Sequence, residues 1–232
     1  MCPGSVNDSI LDKLRDENID FIPKNPYLKK AKELNNILFS INEIAQNFKT
    51  IFDNNNLPIV IEIGTYMGQT LIELAISNPH INFIGIDIVF KRVVKTSEKI
   101  KIQKIPNAKM VIGDGLKLLN IIPENSISGI CVFFPDPWEK KHKKRLINEN
   151  FFLKSNELLK KNGFLWLKTD HKDYFESYKN LIDYKAFIPL KKLPNMLNEK
   201  KYPTYFETLF NNQNKIIYET VLQKTMDFRA RV

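Results

Sequence analysis

Several residue types and segments are scarce in this sequence. Its 232 residues include only two cysteines, Cys2 and Cys131, and the second lies in an apolar run where a small buried side chain is expected. A disulfide framework is therefore not indicated. No apolar run approaches the roughly 18 residues of a membrane-spanning helix, and the N-terminal residues lack the charged and then apolar pattern of a signal peptide. We expect a soluble, cytoplasmic protein with no membrane partner.

Acidic residues are outnumbered by basic ones. The chain has 35 Lys and Arg against 26 Asp and Glu, a formal net charge of +9 and a pI near 9.3. Such a surplus favours a polyanionic partner, because attraction to phosphates is long-ranged and independent of sequence. The alternative is a proteome that is generally rich in lysine. The length fits a single α/β domain.

Apolar periodicity divides the chain into an N-terminal part and a main domain. Residues 1–27 have few periodic apolar positions and predict a partly ordered arm. Residues 31–52 carry apolar side chains at the spacing of one helix face. We therefore predict, within a single domain overall, an arm and an amphipathic helix over 1–56, packed on a core formed by 57–232.

Strand and helix patterns then alternate along the chain. This alternation predicts an α/β fold with a doubly wound, mostly parallel sheet. Two later apolar segments separated by four polar residues predict a C-terminal antiparallel hairpin. The predicted strands are 59–63, 82–88, 108–112, 127–134, 164–168, 204–210 and 215–222, and the predicted helices are 69–77, 91–104 and 145–161.

Acidic residues stand at the ends of four predicted strands. In an open α/β sheet, ligands bind beyond the carboxyl ends of the strands. Any one of these acids could instead cap a helix, Asp114 above all, but the set of four indicates a ligand site. The four are Glu62, Asp87, Asp114 and Asp136.

The segment Gly64-Thr65-Tyr66-Met67-Gly68 has glycines that allow a sharp turn next to a ligand. It lacks the G-x-G-x-x-G spacing of dinucleotide folds, and acids beside a pyrophosphate would repel it. An adenosine without phosphates fits better, with Asp87 on the ribose hydroxyls and Asp114 near the adenine amino group. The inferred cofactor is S-adenosylmethionine, whose positive groups tolerate carboxylates such as Glu62.

Residues 133–145 combine the end of a buried strand with a carboxylate and a basic run. Asp136 lies between two prolines, which restrict the backbone around it. Five cationic residues follow within six positions, which predicts a chemical site beside a phosphate-binding surface. The alternatives are a turn role for Asp136, core packing for Trp138 and a solvated helix start for the basic run, although cations there would oppose the helix dipole.

With these motifs, the sequence resembles the bacterial tRNA (guanine-N7)-methyltransferases, which modify the variable-loop guanine. The resemblance extends from about residue 58 into the C-terminal segments. It implies a Rossmann-like class I methyltransferase domain. The motifs that carry it are Ile61-Glu62-Ile63-Gly64, 82–87, Phe134-Pro135-Asp136-Pro137-Trp138, Thr169-Asp170 and Thr204-Tyr205-Phe206-Glu207.

The resemblance also implies roles for individual residues. Asp136 is expected to be catalytic, and the donor site is expected to include Glu62, Gly64, Gly68, Asp87, Asp114 and Asp136. Guanine contacts are expected from Lys140, Asp170, Thr204, Tyr205, Phe206 and Glu207. RNA contacts are expected from His142, Lys143, Lys144, Arg145, Leu146 and Ile147. Two positions depart from the family pattern: Tyr66 replaces a glycine, and Glu139 replaces a proline.

Methylation of guanine N7 needs no general base, because N7 carries a lone pair and no proton. Asp136 is therefore expected to accept hydrogen bonds from guanine N1 and N2 and to orient the base. His142 has no Cys or acid at ligand spacing, so we expect no metal. An RNA-binding homologue with little or no activity, or a methyltransferase with another substrate, remains an alternative. Either a monomer or a homodimer is compatible with the sequence.

Overall fold

The structure, a computed structural model, describes Leu11 and residues 26–54, 56–183 and 185–226. Most of the predicted N-terminal arm lies outside these residues. No helix among the described residues is long and apolar enough to cross a membrane.

Helices and strands alternate over the described residues, which contain eight strands. The helices are α1 Pro26–Lys32, α2 Ile41–Asn47, α3 Gln69–Ser77, α4 Phe90–Ile102, α5 Gly115–Ile121, α6 Glu149–Leu158, α7 Lys172–Lys179 and α8 Tyr205–Asn212. The strands are β1 Leu38–Ser40, β2 Ile59–Ile63, β3 Asn82–Asp87, β4 Ala108–Ile112, β5 Ile127–Phe133, β6 Leu159–Thr169, β7 Phe187–Pro189 and β8 Tyr218–Lys224.

The chain divides into two compact units. Among the described residues, unit 1 lies within 1–58 and 63–121, and unit 2 lies within 59–62 and 122–232. The division into an arm with a helix and a single domain over 57–232 stays a prediction.

Unit 1 contains parallel strands in the order β1-β4-β3. Every residue of β3 and β4 is buried, as expected for parallel strands that are covered on both faces. The predicted helix over 31–52 is wrong, because β1 interrupts it. Ser40 then starts α2 with a capping box, in which its hydroxyl accepts from Glu43 N at 3.1 Å. The Ser-x-x-Glu pattern decides where this helix begins.

Unit 2 contains strands in the order β2-β5-β6-β8-β7. β5 and β6 are parallel, whereas β8 is antiparallel to both β6 and β7. The doubly wound, mostly parallel fold with antiparallel C-terminal strands is confirmed. The predicted strand over 204–210 is wrong, because this segment forms α8. Thr204 and Glu207 form a capping box there, and this polar signal outweighs the strand preference of the aromatic residues.

Residues 145–161 also differ from the predicted single helix, because the helix covers only Glu149–Leu158 and β6 begins at Leu159. His142–Lys144 forms a 3₁₀ turn, and α6 begins only after Asn148. The side chain of Asn148 accepts from Phe151 N at 3.0 Å, as an N-cap does. The basic run therefore lies in a loop and a short turn that precede the helix.

Candidate active site

In unit 1, the Gly64–Gly68 loop connects the end of β2 to α3. Gly64 donates to Ile86 O at 2.8 Å and has φ 81°. A β-carbon on Gly64 would meet no atom within 4 Å, whereas one on Gly68 would collide with the side chain of Thr96. The two glycines thus have different roles: Gly68 allows close packing on α4, and Gly64 leaves open space beside the loop.

Asp87 ends β3 and is buried. Its Oδ2 accepts from Tyr66 N at 2.9 Å and its Oδ1 from Val89 N at 2.8 Å. Burial raises the pKa of Asp87, and these two backbone donors oppose that rise. Each oxygen keeps a second lone pair, so the fixed carboxylate can still accept from ligand hydroxyls.

Two further predicted donor-site acids, Asp114 and Glu62, have different surroundings. Asp114 follows β4, and its Oδ1 accepts from Lys117 N at 3.0 Å, so it does cap α5 as the alternative interpretation held. In unit 2, Glu62 is 3% exposed. Burial raises the pKa of the Cys131 thiol, and the charge of Glu62 adds to the rise. Cys131 is therefore an inert, protonated side chain.

The residues of unit 1 fit an adenosine-bearing donor. Asp87 is a fixed acceptor for ribose hydroxyls, and the space beside Gly64 lets a ligand approach the backbone closely. No phosphate-binding pattern of glycines is present, and the acids here suit a cationic group. These features agree with the donor inferred from the sequence.

In unit 2, the Phe133–Trp138 loop presents Asp136 at the surface. At its start, Phe134 has φ 51° and donates to Lys168 O at 2.8 Å. The Phe134 ring packs against Phe206 and Phe210, with centroids 6.1 and 5.4 Å away. A bulky residue rarely adopts positive φ, so these contacts hold a strained backbone in place.

The end of the same loop is also held. Arg145 Nε donates to Pro137 O at 2.7 Å, and Trp138 has φ 43°. Lys144 Nζ lies 5.0 Å from the centre of the Trp138 ring, which is 40% exposed. Core packing of Trp138 is thus the wrong alternative. With both ends fixed, the Asp136 carboxylate is exposed on a rigid backbone.

Arg145 lies inside unit 2 and is only 5% exposed. Its Nη1 donates to Ser177 Oγ at 3.0 Å, and its guanidinium lies 4.8 Å from the centre of the Tyr174 ring. Tyr174 Oη accepts from Ile147 N at 2.8 Å, and burial raises the pKa of Tyr174 to about 12. The buried side chains of Arg145 and Ile147 do not suit the predicted RNA contact. Arg145 instead holds the Asp136 loop through its hydrogen bond to Pro137 O.

The remaining basic residues of the run do lie at the surface. Leu146, which was also predicted to contact RNA, is half-buried and has no charge to offer a phosphate. His171 Nε2 lies 3.5 Å from Glu139 Oε1, which links the loop after Trp138 to the start of α7. The exposed cationic and imidazole side chains are Lys140, Lys141, His142, Lys143 and Lys144.

Lys168 connects β6 to the start of α8. Its Nζ is 2.7 Å from Glu207 Oε2 and 3.7 Å from Glu219 Oε1, and its side chain is only 5% exposed. Thr204 and Glu207 are engaged in the capping box, whereas Tyr205 is 46% exposed. The structure thus brings the predicted Thr204–Glu207 segment next to Phe134, through the ring of Phe206.

Asp170 follows β6, and its Oδ2 lies 3.1 Å from Lys215 Nζ. Sequence reasoning missed Lys168 and Arg92, both of which contact site residues. A lysine at the end of the apolar run Leu165-Trp166-Leu167 was the available signal for Lys168. Among the described residues, no group of three or more His, Cys, Asp or Glu side chains could hold a metal ion.

Comparison with known proteins places the chain in a family. The model of a family described as "Putative methyltransferase" matches residues 56–220, which is most of the chain. The chain belongs to this methyltransferase family. Membership confirms the methyltransferase resemblance that the motifs predicted.

Curated relatives of this methyltransferase chain include a bifunctional glycosyltransferase/methyltransferase of Fusobacterium nucleatum, 33% identical over 86% of this chain and 33% of the relative. A tRNA (guanine-N(7)-)-methyltransferase of Legionella pneumophila is 35% identical over 59% of each chain. One of Buchnera aphidicola is 29% identical over 90% of this chain and 96% of the relative. The chain thus spans 33% of the length of the Fusobacterium relative and 59% of the length of the Legionella relative.

Solved structures agree on the fold of the methyltransferase chain. An rRNA methylase from Streptococcus thermophilus has a TM-score of 0.51 at 16% identity, covering 89% of this chain and 100% of that one. At this identity the likeness concerns the fold alone.

Proposed function

We propose that this chain transfers the methyl group of S-adenosylmethionine to N7 of the variable-loop guanine of tRNA. The observation that carries the proposal is an exposed Asp136 on a backbone that is fixed at both ends. The names of the Legionella and Buchnera relatives support the same reaction.

The donor site in unit 1 would use the Gly64–Gly68 loop, Asp87 and Asp114. When bound, S-adenosylmethionine supplies an electrophilic methyl group on a sulfonium. Asp87 accepts from the ribose hydroxyls with the lone pairs that Tyr66 N and Val89 N leave. Asp114 keeps Oδ2 for the adenine amino group, because Oδ1 caps α5.

The guanine would be oriented by Asp136. N7 needs no deprotonation, so the carboxylate accepts from N1 and N2 and favours the cationic base that develops. Tyr205 and Phe206 offer ring surface for the base, and Thr204 and Glu207 place those rings by capping α8. Lys140 and Asp170 complete the proposed guanine contacts, Asp170 being shared with Lys215.

Phosphates of the tRNA would meet the exposed basic run. Lys140, His142, Lys143 and Lys144 are at the surface, where cations release counterions from RNA on binding. Arg145 is left out of this surface because its guanidinium is committed to Pro137 O and Ser177. It contributes by fixing the loop.

The deciding experiment incubates the protein with labelled S-adenosylmethionine and unmodified tRNA, and then cleaves the RNA at N7-methylguanine. We expect label in the tRNA and a single cleavage in the variable loop. A tRNA with adenine in place of that guanine is the matched control and should take up no label. Label without cleavage would place the methyl on another atom, and absence of label would refute the proposal.

A further inference from the structure

Tyr66 occupies an unusual position for a residue with a side chain. It lies between the two glycines of the Gly64–Gly68 loop and has φ 52°, in the left-handed region that residues with a β-carbon disfavour. Its backbone N–H nevertheless donates to Asp87 Oδ2 at 2.9 Å. The loop therefore keeps a backbone shape that glycine would adopt without cost.

The Tyr66 ring contacts Arg92 of α4. The guanidinium carbon of Arg92 lies 4.5 Å from the centre of the ring, within the range of a cation–π interaction. Arg92 Nη1 also lies 4.0 Å from Asp87 Oδ1. One guanidinium thus contacts both the side chain of Tyr66 and the carboxylate that holds the Tyr66 backbone.

Two more residues of α4 contact the same loop. Lys99 Nζ donates to Met67 O at 2.9 Å, and the Thr96 side chain fills the place that a β-carbon on Gly68 would take. Positions 92, 96 and 99 lie on one helix face. This face contacts residues 66, 68 and 67 through positions 92, 96 and 99, respectively, so α4 holds the conformation of the loop.

We infer that Arg92 is a positioning residue for the methyl donor. It holds the Tyr66 ring against α4 and the Asp87 carboxylate in its orientation, which leaves the space beside Gly64 open. Tyr66 and Arg92 together do what a glycine at position 66 would do alone. The identity of the ligand rests on the proposed function, whereas the dependence of the loop on Arg92 does not.

The test is a double-mutant cycle on the full chain, with the Kd of S-adenosylhomocysteine measured by calorimetry. Arg92→Ala should weaken binding about tenfold, roughly 1.4 kcal/mol. Tyr66→Gly should stay within about threefold of wild type, because glycine adopts positive φ unaided. In the Tyr66→Gly background, Arg92→Ala should weaken binding about threefold or less, since position 66 then has no ring for Arg92 to hold.

Two controls separate positioning by the planar guanidinium from a simple effect of charge. Lys95→Ala also removes one positive charge from α4 and should leave Kd unchanged. Arg92→Lys keeps the charge but not the planar stacking, and should recover part of the affinity. Equal losses from Arg92→Ala in both backgrounds, or no loss in either, would overturn the inference.

A ligand-free measurement keeps the inference independent of the donor. Hydrogen exchange of the residue 66 amide reports its bond to Asp87, and Arg92→Ala should accelerate that exchange about tenfold while Lys95→Ala leaves it unchanged. If the wild-type protein binds no S-adenosylhomocysteine, the proposed donor fails and this measurement decides the role of Arg92. Unchanged exchange in Arg92→Ala would overturn that role.

Discussion

Two loops of this protein carry the proposed chemistry, and they are stabilised in different ways. The Gly64–Gly68 loop belongs to unit 1 and the Phe133–Trp138 loop to unit 2. Both contain non-glycine residues with positive φ, at Tyr66 in the first and at Phe134 and Trp138 in the second. Backbone strain of this kind persists only where surrounding contacts hold it.

The contacts that hold each loop decide what its carboxylate can do. Asp87 is itself one of the anchors of the first loop, since it accepts from Tyr66 N and Val89 N. Asp136 anchors nothing among these contacts, because Lys168 O and Arg145 hold its loop on either side. Asp87 therefore serves both ligand binding and the structure of its loop, whereas Asp136 is free of the structural role.

The largest expected effect tests this difference. Asp136→Ala should lower kcat/KM for tRNA methylation by about 10²–10³-fold, the usual loss when a preorganised electrostatic group is removed. The free energy of unfolding should change by no more than about 0.5 kcal/mol, as for other exposed positions. Methyl transfer and urea denaturation measure the two quantities.

Asp136→Asn serves as the matched control. It keeps the size of the side chain but removes the charge, so it should be nearly as inactive as Asp136→Ala. Substantial activity in either variant would remove Asp136 from the proposed chemistry. A large loss of stability would show that the carboxylate anchors its loop after all.

Two alanine substitutions in the first loop should have opposite profiles. Gly68→Ala should lower the free energy of unfolding by about 2–3 kcal/mol, from positive φ and from collision with Thr96. Gly64→Ala should lower the free energy of unfolding by only about 1–2 kcal/mol, because of its positive φ. Its β-carbon enters the open space, so it should weaken donor binding more than Gly68→Ala does. Denaturation and calorimetry on both variants check this, and the same profile for both would contradict the assigned roles.

A third prediction concerns the support beneath the Asp136 loop. Tyr174→Phe leaves Ile147 N without its acceptor and should lower the free energy of unfolding by about 1–3 kcal/mol near neutral pH. Methylation should fall much less than in Asp136→Ala. A variant as stable as wild type would show that this hydrogen bond does not hold the segment.

The same variant has a defined pH dependence. The pKa of Tyr174 rises from 10.0 to about 12 in the folded state, so above pH 10 the unfolded chain loses this proton first. Its contribution to stability is present below pH 10 and is lost as pH rises towards 12. The stability difference between wild type and Tyr174→Phe should shrink by roughly 1–3 kcal/mol over that interval. A constant difference would contradict the raised pKa.

The smallest effect is expected at the exposed basic run. Lys143→Ala should weaken tRNA binding about two- to threefold and lower the slope of log K against log salt by about 1. Lys161→Ala removes another exposed charge elsewhere in unit 2 and should leave the slope unchanged. Equal slopes for wild type and Lys143→Ala would place the phosphate contacts on other residues.

Sequence patterns predicted some strands of the sheet correctly but misassigned two other segments of the chain. The mostly apolar runs 59–63 and 108–112 predicted β2 and β4 with their observed ends, because parallel strands that are buried on both faces are rich in apolar residues. The segments 31–52 and 204–210 were assigned wrongly, since the capping boxes at Ser40 and Thr204 set helix starts that apolar periodicity does not reveal.

The sequence by itself determined the fold class, the strand-end acids and the Pro-Asp-Pro motif of the Phe133–Trp138 loop. These depend on local order: strand periodicity, proline restriction and charge. Only the tertiary structure decided that Arg145 is buried, that Lys168 joins β6 to α8, and that Arg92 stacks on Tyr66. The local sequence does not show whether a lysine or arginine is buried or which residue it contacts, because both depend on residues tens of positions away.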